Sequence, residues 1–211
     1  MIRPLDECFL YTFVDAGYLH GRQPAELCEQ LCRGGSDIIQ LRAKDWSPEQ
    51  VESAARDLLP VTRRHRVNLV INDHPGIARR IGADLCHLGQ EDFFDAGHSH
   101  ASSFGEVKLG LSTHAPEQAR RALAADPAYI AIGPVYPTGT KPAAAAVTLK
   151  YVQWASENVK IPWFAIGGID LNRLPEVLAA GAKRVCVVSA ILNASDIAGE
   201  CARFRAALRT A

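Results

Sequence analysis

Three polar side chains alternate directly after an apolar run, and their spacing places them on one surface. Gln40, Arg42 and Lys44 follow two consecutive isoleucines at intervals of two residues. Because residues two apart lie on the same face of a β-strand, we expect these groups together and Leu41 on the opposite face. Two cations on the inward face of a strand are costly unless anions meet them. The spacing predicts an anion-binding face; the alternative is a solvated strand end in which Arg42 forms a salt bridge.

Two aspartates follow the next two apolar segments and could hold a divalent cation. Asp73 comes directly after Asn72, and Asp92 stands three residues after the segment that ends at Gly89. A few oxygen ligands beside phosphate-binding cations suit Mg²⁺, which keeps several waters and shares ligands with substrate phosphates. The sequence predicts that Asp73 and Asp92 bind Mg²⁺. The alternative is that Asp73 caps the following helix and Asp92 lies in an exposed turn.

The stretch 131–146, AIGPVYPTGTKPAAAA, ends an apolar segment in glycines, prolines, two threonines and a lysine. Hydroxyls and a cation on flexible backbone can bind an anion through charge-assisted hydrogen bonds. Thr138, Thr140 and Lys141 are therefore candidate ligands, and Ser112 adds a hydroxyl at the end of an earlier apolar segment. The alternative for the stretch is a surface loop between two elements.

Apolar segments alternate with helix patterns along the chain, and this alternation must position the polar residues. The segments are nearly continuous apolar runs, as expected for parallel strands covered on both faces. Ser47 as N-cap and Pro48 in the first turn mark one of the helix starts. The predicted strands are 9–14, 38–42, 68–73, 85–89, 107–111, 129–132, 163–166 and 184–188, and the predicted helices are 24–31, 48–64, 77–81, 115–125, 149–157, 172–180 and 197–208.

Eight strand–helix units predict an α/β fold, a (β/α)8 TIM barrel formed as a single domain by residues 1–211. An open doubly wound sheet is the alternative, but the turn after the first strand lacks the GxGxxG pattern of dinucleotide-binding folds. A barrel collects functional groups at the C-terminal ends of its strands. Gly167-Gly168 and Val188-Ser189 follow the last two strands, where backbone N–H groups commonly hold a phosphate.

Composition restricts the partners of the protein. The 211 residues include 23 Lys+Arg and 23 Asp+Glu, so any anion site must be local, and no basic stripe indicates nucleic acid or a membrane surface. No apolar run approaches a membrane span, and the N-terminal residues lack the apolar region of a secretory signal. Six cysteines without a CxxC motif favour reduced thiols in a cytoplasmic protein. An exposed apolar helix face could support a homodimer.

The sequence resembles the thiamine phosphate synthase family on motifs that lie in the family's order. Each motif falls at a predicted strand end. The matching pieces are QLRAK at 40–44, IND at 71–73, HLGQED at 87–92, GLSTH at 110–114, IAIGPVYPTGTK at 130–141, AIGGI at 165–169 and VVSAI at 187–191. The family usually has Arg after IND, where this chain has His74.

The resemblance implies a reaction and a role for each matched residue. Such enzymes join 4-amino-2-methyl-5-hydroxymethylpyrimidine diphosphate to a thiazole phosphate, releasing diphosphate. By this resemblance, Gln40, Arg42, Lys44, Asn72 and Lys141 would hold the pyrimidine diphosphate, Asp73 and Asp92 would bind Mg²⁺, Ser112 would contact the pyrimidine substrate, and Thr138, Thr140, Gly168, Val188 and Ser189 would hold the thiazole phosphate. Lys141, Ser112 and Arg42 are the residues expected to act in catalysis.

Three other functions remain open at this point. A thiazole tautomerase relative shares the fold, and His114 could serve as its base. That enzyme binds no diphosphate, so the cations and aspartates would be surplus. Another phosphate-binding barrel or a non-catalytic phosphate sensor would retain the anion sites of the last two strands.

Overall fold

Strands and helices alternate along the computed structural model, which describes residues 3–138 and 146–209. The strands are β1 Leu10–Asp15, β2 Ile38–Arg42, β3 Asn68–Asn72, β4 Leu85–Gly89, β5 Lys108–Thr113, β6 Tyr129–Ile132, β7 Trp163–Ile166 and β8 Val185–Cys186. The α-helices are α1 Pro24–Arg33, α2 Pro48–His65, α3 Pro75–Ile81, α4 Gln90–Asp95, α5 Pro116–Ala124, α6 Thr148–Asn158, α7 Leu174–Ala179, α8 Ser189–Leu192 and α9 Ile197–Arg209.

The strands form a closed barrel in which each strand pairs in parallel with its neighbours in the chain. The barrel closes where β8 pairs with β1, with Leu10 opposite Val185 and Tyr11 opposite Cys186. Although β8 is short, the Val187 N–H continues the pairing by donating to the Tyr11 carbonyl at 2.9 Å. This architecture confirms the predicted (β/α)8 barrel.

The boundaries differ from the predicted ones where polar residues belong to an element. The strand β5 extends to Thr113, so Ser112 lies within the strand rather than after it. Helix α4 was not predicted, because its sequence QEDFFD begins with three polar residues. Glu91 and Asp92 favour its first turn, where the N-terminal end of a helix is positive, and Phe93 is buried.

The predicted start of α2 is confirmed in detail. The Ser47 hydroxyl accepts from the Gln50 N–H at 3.3 Å, and the Gln50 side-chain oxygen accepts from the Ser47 N–H at 2.8 Å. This reciprocal capping box satisfies two of the N–H groups that a helix start leaves without partners.

Aromatic side chains fill the barrel interior. The rings of Tyr11 and Tyr129 each meet the ring of Phe164 edge-on, at centroid distances of 5.4 and 5.5 Å. Gly110 on β5 makes room for this cluster, because a Cβ at that position would lie 2.0 Å from the Tyr129 ring. The interior is therefore a packed core below the C-terminal rim rather than a channel.

The N-terminal end of the barrel is closed by an ionic cluster around Asp37. This carboxylate is completely buried, and it pairs with the guanidinium groups of Arg3 and Arg205. Its Oδ2 also accepts from the Phe9 and Leu10 N–H groups at 2.8 and 3.0 Å. Because Arg3 binds Oδ1, and Arg205 and the two N–H groups bind Oδ2, the buried charge is stabilised by its own surroundings.

All six cysteines are buried free thiols, as the scattered spacing indicated. Burial raises the pKa of Cys8, Cys86 and Cys201 to about 12, so these thiols stay protonated at neutral pH. Among the described helices, none has the length and apolar character needed to cross a membrane.

Candidate active site

The C-terminal ends of the strands enclose a cavity that brings most of the predicted site residues together. Its lining includes Gln40, Arg42, Lys44, Asn72, Asp73, Asp92, Ser112, Thr138, Gly168, Val188 and Ser189. Thr140 and Lys141 lie outside the described residues. The convergence follows from the fold, because parallel strands of a barrel all end at the same rim.

The alternating face predicted on β2 is present. Gln40 is buried at 3% exposure, Arg42 is half-buried, and Lys44, just beyond the strand, has a 51% exposed side chain. All three line the cavity, whereas Leu41 is buried outside its lining. The period-two pattern therefore placed the cations correctly.

Arg42 also has the ion pair that the alternative interpretation anticipated. Its guanidinium Nη1 donates to Asp15 Oδ2 at 2.7 Å, and the Asp15 side chain is only 3% exposed. Asp15 is the residue opposite Arg42 in the pairing of β1 with β2, and its other oxygen accepts from the Gly17 N–H at 2.9 Å. The pair therefore orients Arg42 at the cavity wall without removing it from the cavity.

Sequence reasoning missed Asp15, although a signal for it was present. The residue stands at the end of the first apolar segment, as Arg42 does in the second. Neighbouring parallel strands align their ends, so a carboxylate beside a predicted strand-end cation was a candidate partner.

Asp73 lies in a strained backbone conformation at the cavity edge. Its φ of 62° is in the left-handed region, which costs a non-glycine residue energy and is frequent at functional sites. The Asn72 amide donates to its Oδ2 at 2.6 Å, and the Lys44 ammonium lies 3.6 Å from the same oxygen. Within the described residues, the side chain makes no cap of α3, whose N-cap residue is His74.

Asp92 reaches the cavity from the first turn of α4 rather than from a loop. The helix begins directly after β4, and the carboxylate folds back over Gly89, where a Cβ would lie 2.6 Å from Asp92 Oδ2. Glycine at 89 therefore leaves room for the carboxylate beside the end of the strand.

The two aspartates fit a metal that takes few protein ligands. Both are hard oxygen donors on the same cavity, and the described parts of the chain contain no group of three or more His, Cys, Asp or Glu arranged to hold a metal. Zinc and calcium sites in proteins are built from larger ligand sets, whereas Mg²⁺ is commonly held by one or two carboxylates together with waters and substrate phosphates.

The end of β5 supplies polar side chains to the opposite wall. Ser112 is buried at 8% exposure and lines the cavity. His114 also lines the cavity, and its Nδ1 is hydrogen-bonded to the Gly133 carbonyl. The backbone N–H of His114 donates to the Gln118 side-chain oxygen at 2.7 Å. His114 therefore ties the ends of β5 and β6 together.

The predicted backbone site after β7 is tightly constrained. Gly167 and Gly168 have φ values of 108° and 63°, and a Cβ at either would lie less than 3.0 Å from the segment 134–137. That segment donates from the Val135 and Tyr136 N–H groups to the Ile166 and Gly167 carbonyls at 2.8 and 3.0 Å. Glycine is required here for both conformation and space.

The last element of the rim is a short helical turn. Val188 precedes α8, which begins at Ser189, and both residues line the cavity. The predicted Val188-Ser189 site therefore lies at the start of a helical turn. The cavity thus has cations and carboxylates on one side and glycine-rich backbone with hydroxyls on the other.

This combination defines the class of the protein: a (β/α)8 barrel whose rim carries a site suited to anionic ligands. Comparison with known proteins agrees with that class and narrows it. Residues 10–191 match the family described as thiamine monophosphate synthase.

Relatives of known name show the same family. A thiamine-phosphate synthase of Thermus thermophilus is 47% identical over 169 residues, covering 80% of this chain and 81% of the relative. One from Acidothermus cellulolyticus is 40% identical over 210 residues, covering 98% of both. The solved thiamine phosphate pyrophosphorylase of Pyrococcus furiosus superposes with a TM-score of 0.84 over 99% of this chain and 98% of its own, at 24% identity, which supports the fold.

The chain belongs to the thiamine monophosphate synthase family. It is accordingly an enzyme of the transferase class, and the resemblance read from the seven motifs is confirmed.

Proposed function

We propose that this protein is a thiamine phosphate synthase, which condenses 4-amino-2-methyl-5-hydroxymethylpyrimidine diphosphate with 4-methyl-5-hydroxyethylthiazole phosphate to give thiamine phosphate and diphosphate. One observation carries the proposal beyond family membership. Arg42, Lys44, Asp73 and Asp92 line the same cavity as Gly168 and Ser189. A diphosphate and a monophosphate could therefore be held side by side.

The side of the cavity formed by β2, β3 and α4 suits the leaving diphosphate. The Asp15–Arg42 pair holds a guanidinium at the wall before any ligand arrives, and Lys44 adds a second cation. Preorganised charges of this kind stabilise negative charge that develops on a departing group. Asn72 and Lys141 are assigned to the same substrate.

Mg²⁺ would be held by Asp73 and Asp92 and would neutralise charge on the diphosphate oxygens. Asp73 is fixed by the Asn72 amide at 2.6 Å, so its position does not depend on the ion. Lys44, 3.6 Å from Asp73, offsets carboxylate charge when the ion is absent. These contacts keep an acidic edge in place between turnovers.

The opposite side suits the thiazole phosphate. Thr138 and Thr140 supply hydroxyls, and backbone groups at Gly168, Val188 and Ser189 supply N–H donors, an arrangement that commonly binds phosphate at a barrel rim. The hydrogen bonds between the segments 134–136 and 166–167 hold this side rigidly. The carboxylated form of the thiazole phosphate would bind on the same side of the cavity.

We assign the reaction an ionisation route. The bond between the pyrimidine methylene carbon and the bridging oxygen breaks first, and the diphosphate leaves with the electron pair. The ring nitrogen of the thiazole then donates its lone pair to the resulting pyrimidine-methyl cation. Ser112, buried on β5, would contact the pyrimidine. Arg42 and Lys141 would stabilise the leaving group, and the route requires little acid–base chemistry.

A thiazole tautomerase activity is the second candidate, because His114 lines the cavity. It leaves Arg42, Lys44 and both aspartates without a role, since an isomerisation has no diphosphate to bind.

An assay of diphosphate release distinguishes a thiamine phosphate synthase from a thiazole tautomerase. We expect the protein with both substrates and Mg²⁺ to release diphosphate, and omission of the thiazole phosphate or addition of EDTA to abolish sustained release. Asp92→Asn should raise the Mg²⁺ concentration for half-maximal rate at least about tenfold. Asp95→Asn, an exposed change on the same helix, is the control. Thiazole isomerisation without condensation would instead identify a tautomerase.

A further inference from the structure

A chain of hydrogen bonds crosses the barrel directly below the cavity. The Gln40 amide nitrogen Nε2 donates to the Tyr11 hydroxyl at 2.6 Å. The Tyr11 and Tyr129 hydroxyls are 3.0 Å apart, and the Tyr129 hydroxyl lies 3.0 Å from His87 Nδ1. The four residues come from β2, β1, β6 and β4, so the chain runs through the barrel interior and links Gln40 on β2 to His87 on β4. Gln40, Tyr11 and His87 line the cavity, and Tyr129 is completely buried.

Packing fixes the two hydroxyls in place. Phe164 meets both tyrosine rings edge-on, and the His87 imidazole stacks on the Tyr129 ring at 5.7 Å. Tyr11 is 1% exposed, so neither hydroxyl can exchange its partner for bulk water. The apolar surroundings would suit phenylalanine at both positions, and the hydroxyls are therefore a cost unless they satisfy one another and the groups at each end.

The protons along this chain have a definite order. Each hydroxyl has one proton to donate, and burial raises the pKa of both tyrosines well above the ordinary value, so both remain neutral. Since the Gln40 amide donates to the Tyr11 hydroxyl, the Tyr11 hydroxyl donates to the Tyr129 hydroxyl. The Tyr129 hydroxyl then donates to His87 Nδ1. In a neutral His87 ring, the proton is then on Nε2.

Partial reversals of this order are costly. If one hydroxyl alone turned round, two protons would face each other or a buried proton would lack an acceptor. Among these three hydrogen bonds, the other order that satisfies both hydroxyls reverses every bond, which requires a rotated Gln40 amide and a proton on His87 Nδ1. The amide orientation of Gln40 on β2 is thus coupled to the tautomer of His87 on β4.

We propose that Tyr11 and Tyr129 are positioning residues, whose hydroxyls form a proton-ordered bridge that fixes the amide orientation of Gln40 and the tautomer of His87. The consequence for catalysis rests on the proposed function, in which Gln40 holds the pyrimidine diphosphate. An amide rotated by half a turn exchanges its donor and acceptor, and a buried mismatch with a ligand is a strong basis for discrimination. The bridge keeps the Gln40 carbonyl oxygen as the acceptor.

Nitrogen NMR of the ligand-free protein tests the bridge independently of activity. With ¹⁵N-labelled histidine, and His87 assigned through the variant His87→Gln, we expect an unprotonated Nδ1 and a protonated Nε2. Tyr129→Phe removes the donor to Nδ1 and should shift both signals towards a mixture of tautomers. Tyr11→Phe leaves Tyr129 free to donate, so the His87 tautomer should persist. A proton on Nδ1 in the unmodified protein, or no change in Tyr129→Phe, would overturn the proposal.

Steady-state kinetics test the effect on substrate. Both single variants should raise the KM for the pyrimidine diphosphate about 3- to 10-fold, the value of one hydrogen bond, with kcat within about twofold. The KM of the double variant should be no higher than that of the more affected single variant, because the two hydroxyls act as one unit. Thr12→Val is the matched control, since Thr12 lies beside Tyr11, outside the cavity lining, and loses a buried bond to the Ser36 hydroxyl at 2.8 Å.

The two measurements separate the two proposals. A KM change no larger than that of Thr12→Val would overturn the positioning role. An unmodified protein that releases no diphosphate, yet shows the expected His87 signals, would contradict the proposed function and leave the bridge supported.

Discussion

The two ends of the barrel each contain a buried aspartate paired with arginine, and the pairs differ in what they leave available. At the N-terminal end, Asp37 binds two guanidinium groups and two backbone N–H groups. At the C-terminal end, Asp15 binds Arg42 and a single N–H of its own loop. Within the described residues Arg42 donates to Asp15 alone, and it faces a cavity.

The difference separates stability from function. A carboxylate surrounded by two guanidinium groups and two N–H groups holds the structure together and has nothing left to bind a ligand. A pair that orients a cation while leaving most of its N–H groups towards a cavity is prepared for an anion. Changes of charge at the N-terminal end should therefore alter unfolding, and changes at the C-terminal end should alter turnover.

The largest effect is expected at Asp37. Asp37→Asn leaves two arginines next to a neutral group in a buried site, so the free energy of unfolding should fall by about 3–5 kcal/mol. Chemical denaturation measures it, with the exposed change Asp57→Asn as control. The kcat of the folded fraction should be unchanged, and a reduced kcat in fully folded protein would contradict the division between the ends.

The next effect is expected at Lys141, which is assigned to the diphosphate. Lys141→Ala removes a charge stabiliser and should lower kcat about 10²–10³-fold, with the unfolding transition unchanged. Lys108→Ala, an exposed change at the N-terminal end of β5, is the control. Normal turnover in Lys141→Ala would exclude Lys141 from the mechanism.

Asp15 should show a smaller and mixed effect. Asp15→Asn keeps a hydrogen-bonding group but removes the charge that orients Arg42, so kcat/KM should fall about tenfold and stability by about 1–3 kcal/mol, less than for Asp37→Asn. Combining it with Arg42→Gln should add little, because both changes disrupt one pair. Additive losses would mean that Asp15 acts independently of Arg42.

Much of the site could be predicted from local patterns. Gln40, Arg42 and Lys44 were placed on the cavity by strand periodicity, and the other candidate residues that the structure describes were placed there by the rule that parallel strands end at one rim. These inferences needed only the order of elements along the chain.

Other features depend on distances that no local pattern contains. The Asp15–Arg42 pair requires the register between two strands, and the contact of Tyr11 with Tyr129, 118 residues apart, requires closure of the barrel. Helix α4 was missed because Glu91 and Asp92 suit a loop as well as a first turn. The strand β8 was predicted as 184–188 but comprises Val185–Cys186, since the apolar run continues through Val187 and Val188 beyond the end of the regular strand.

Gly110 has a consequence for the size of molecule that this site can admit. A methyl group there would collide with the Tyr129 ring, so the ring would have to move up towards the rim or out of the core. The position of the Tyr129 ring beneath the cavity is thus set by a residue that does not line the cavity. Relatives that enlarge this position would be expected to accept shallower ligands, even with every contact residue retained.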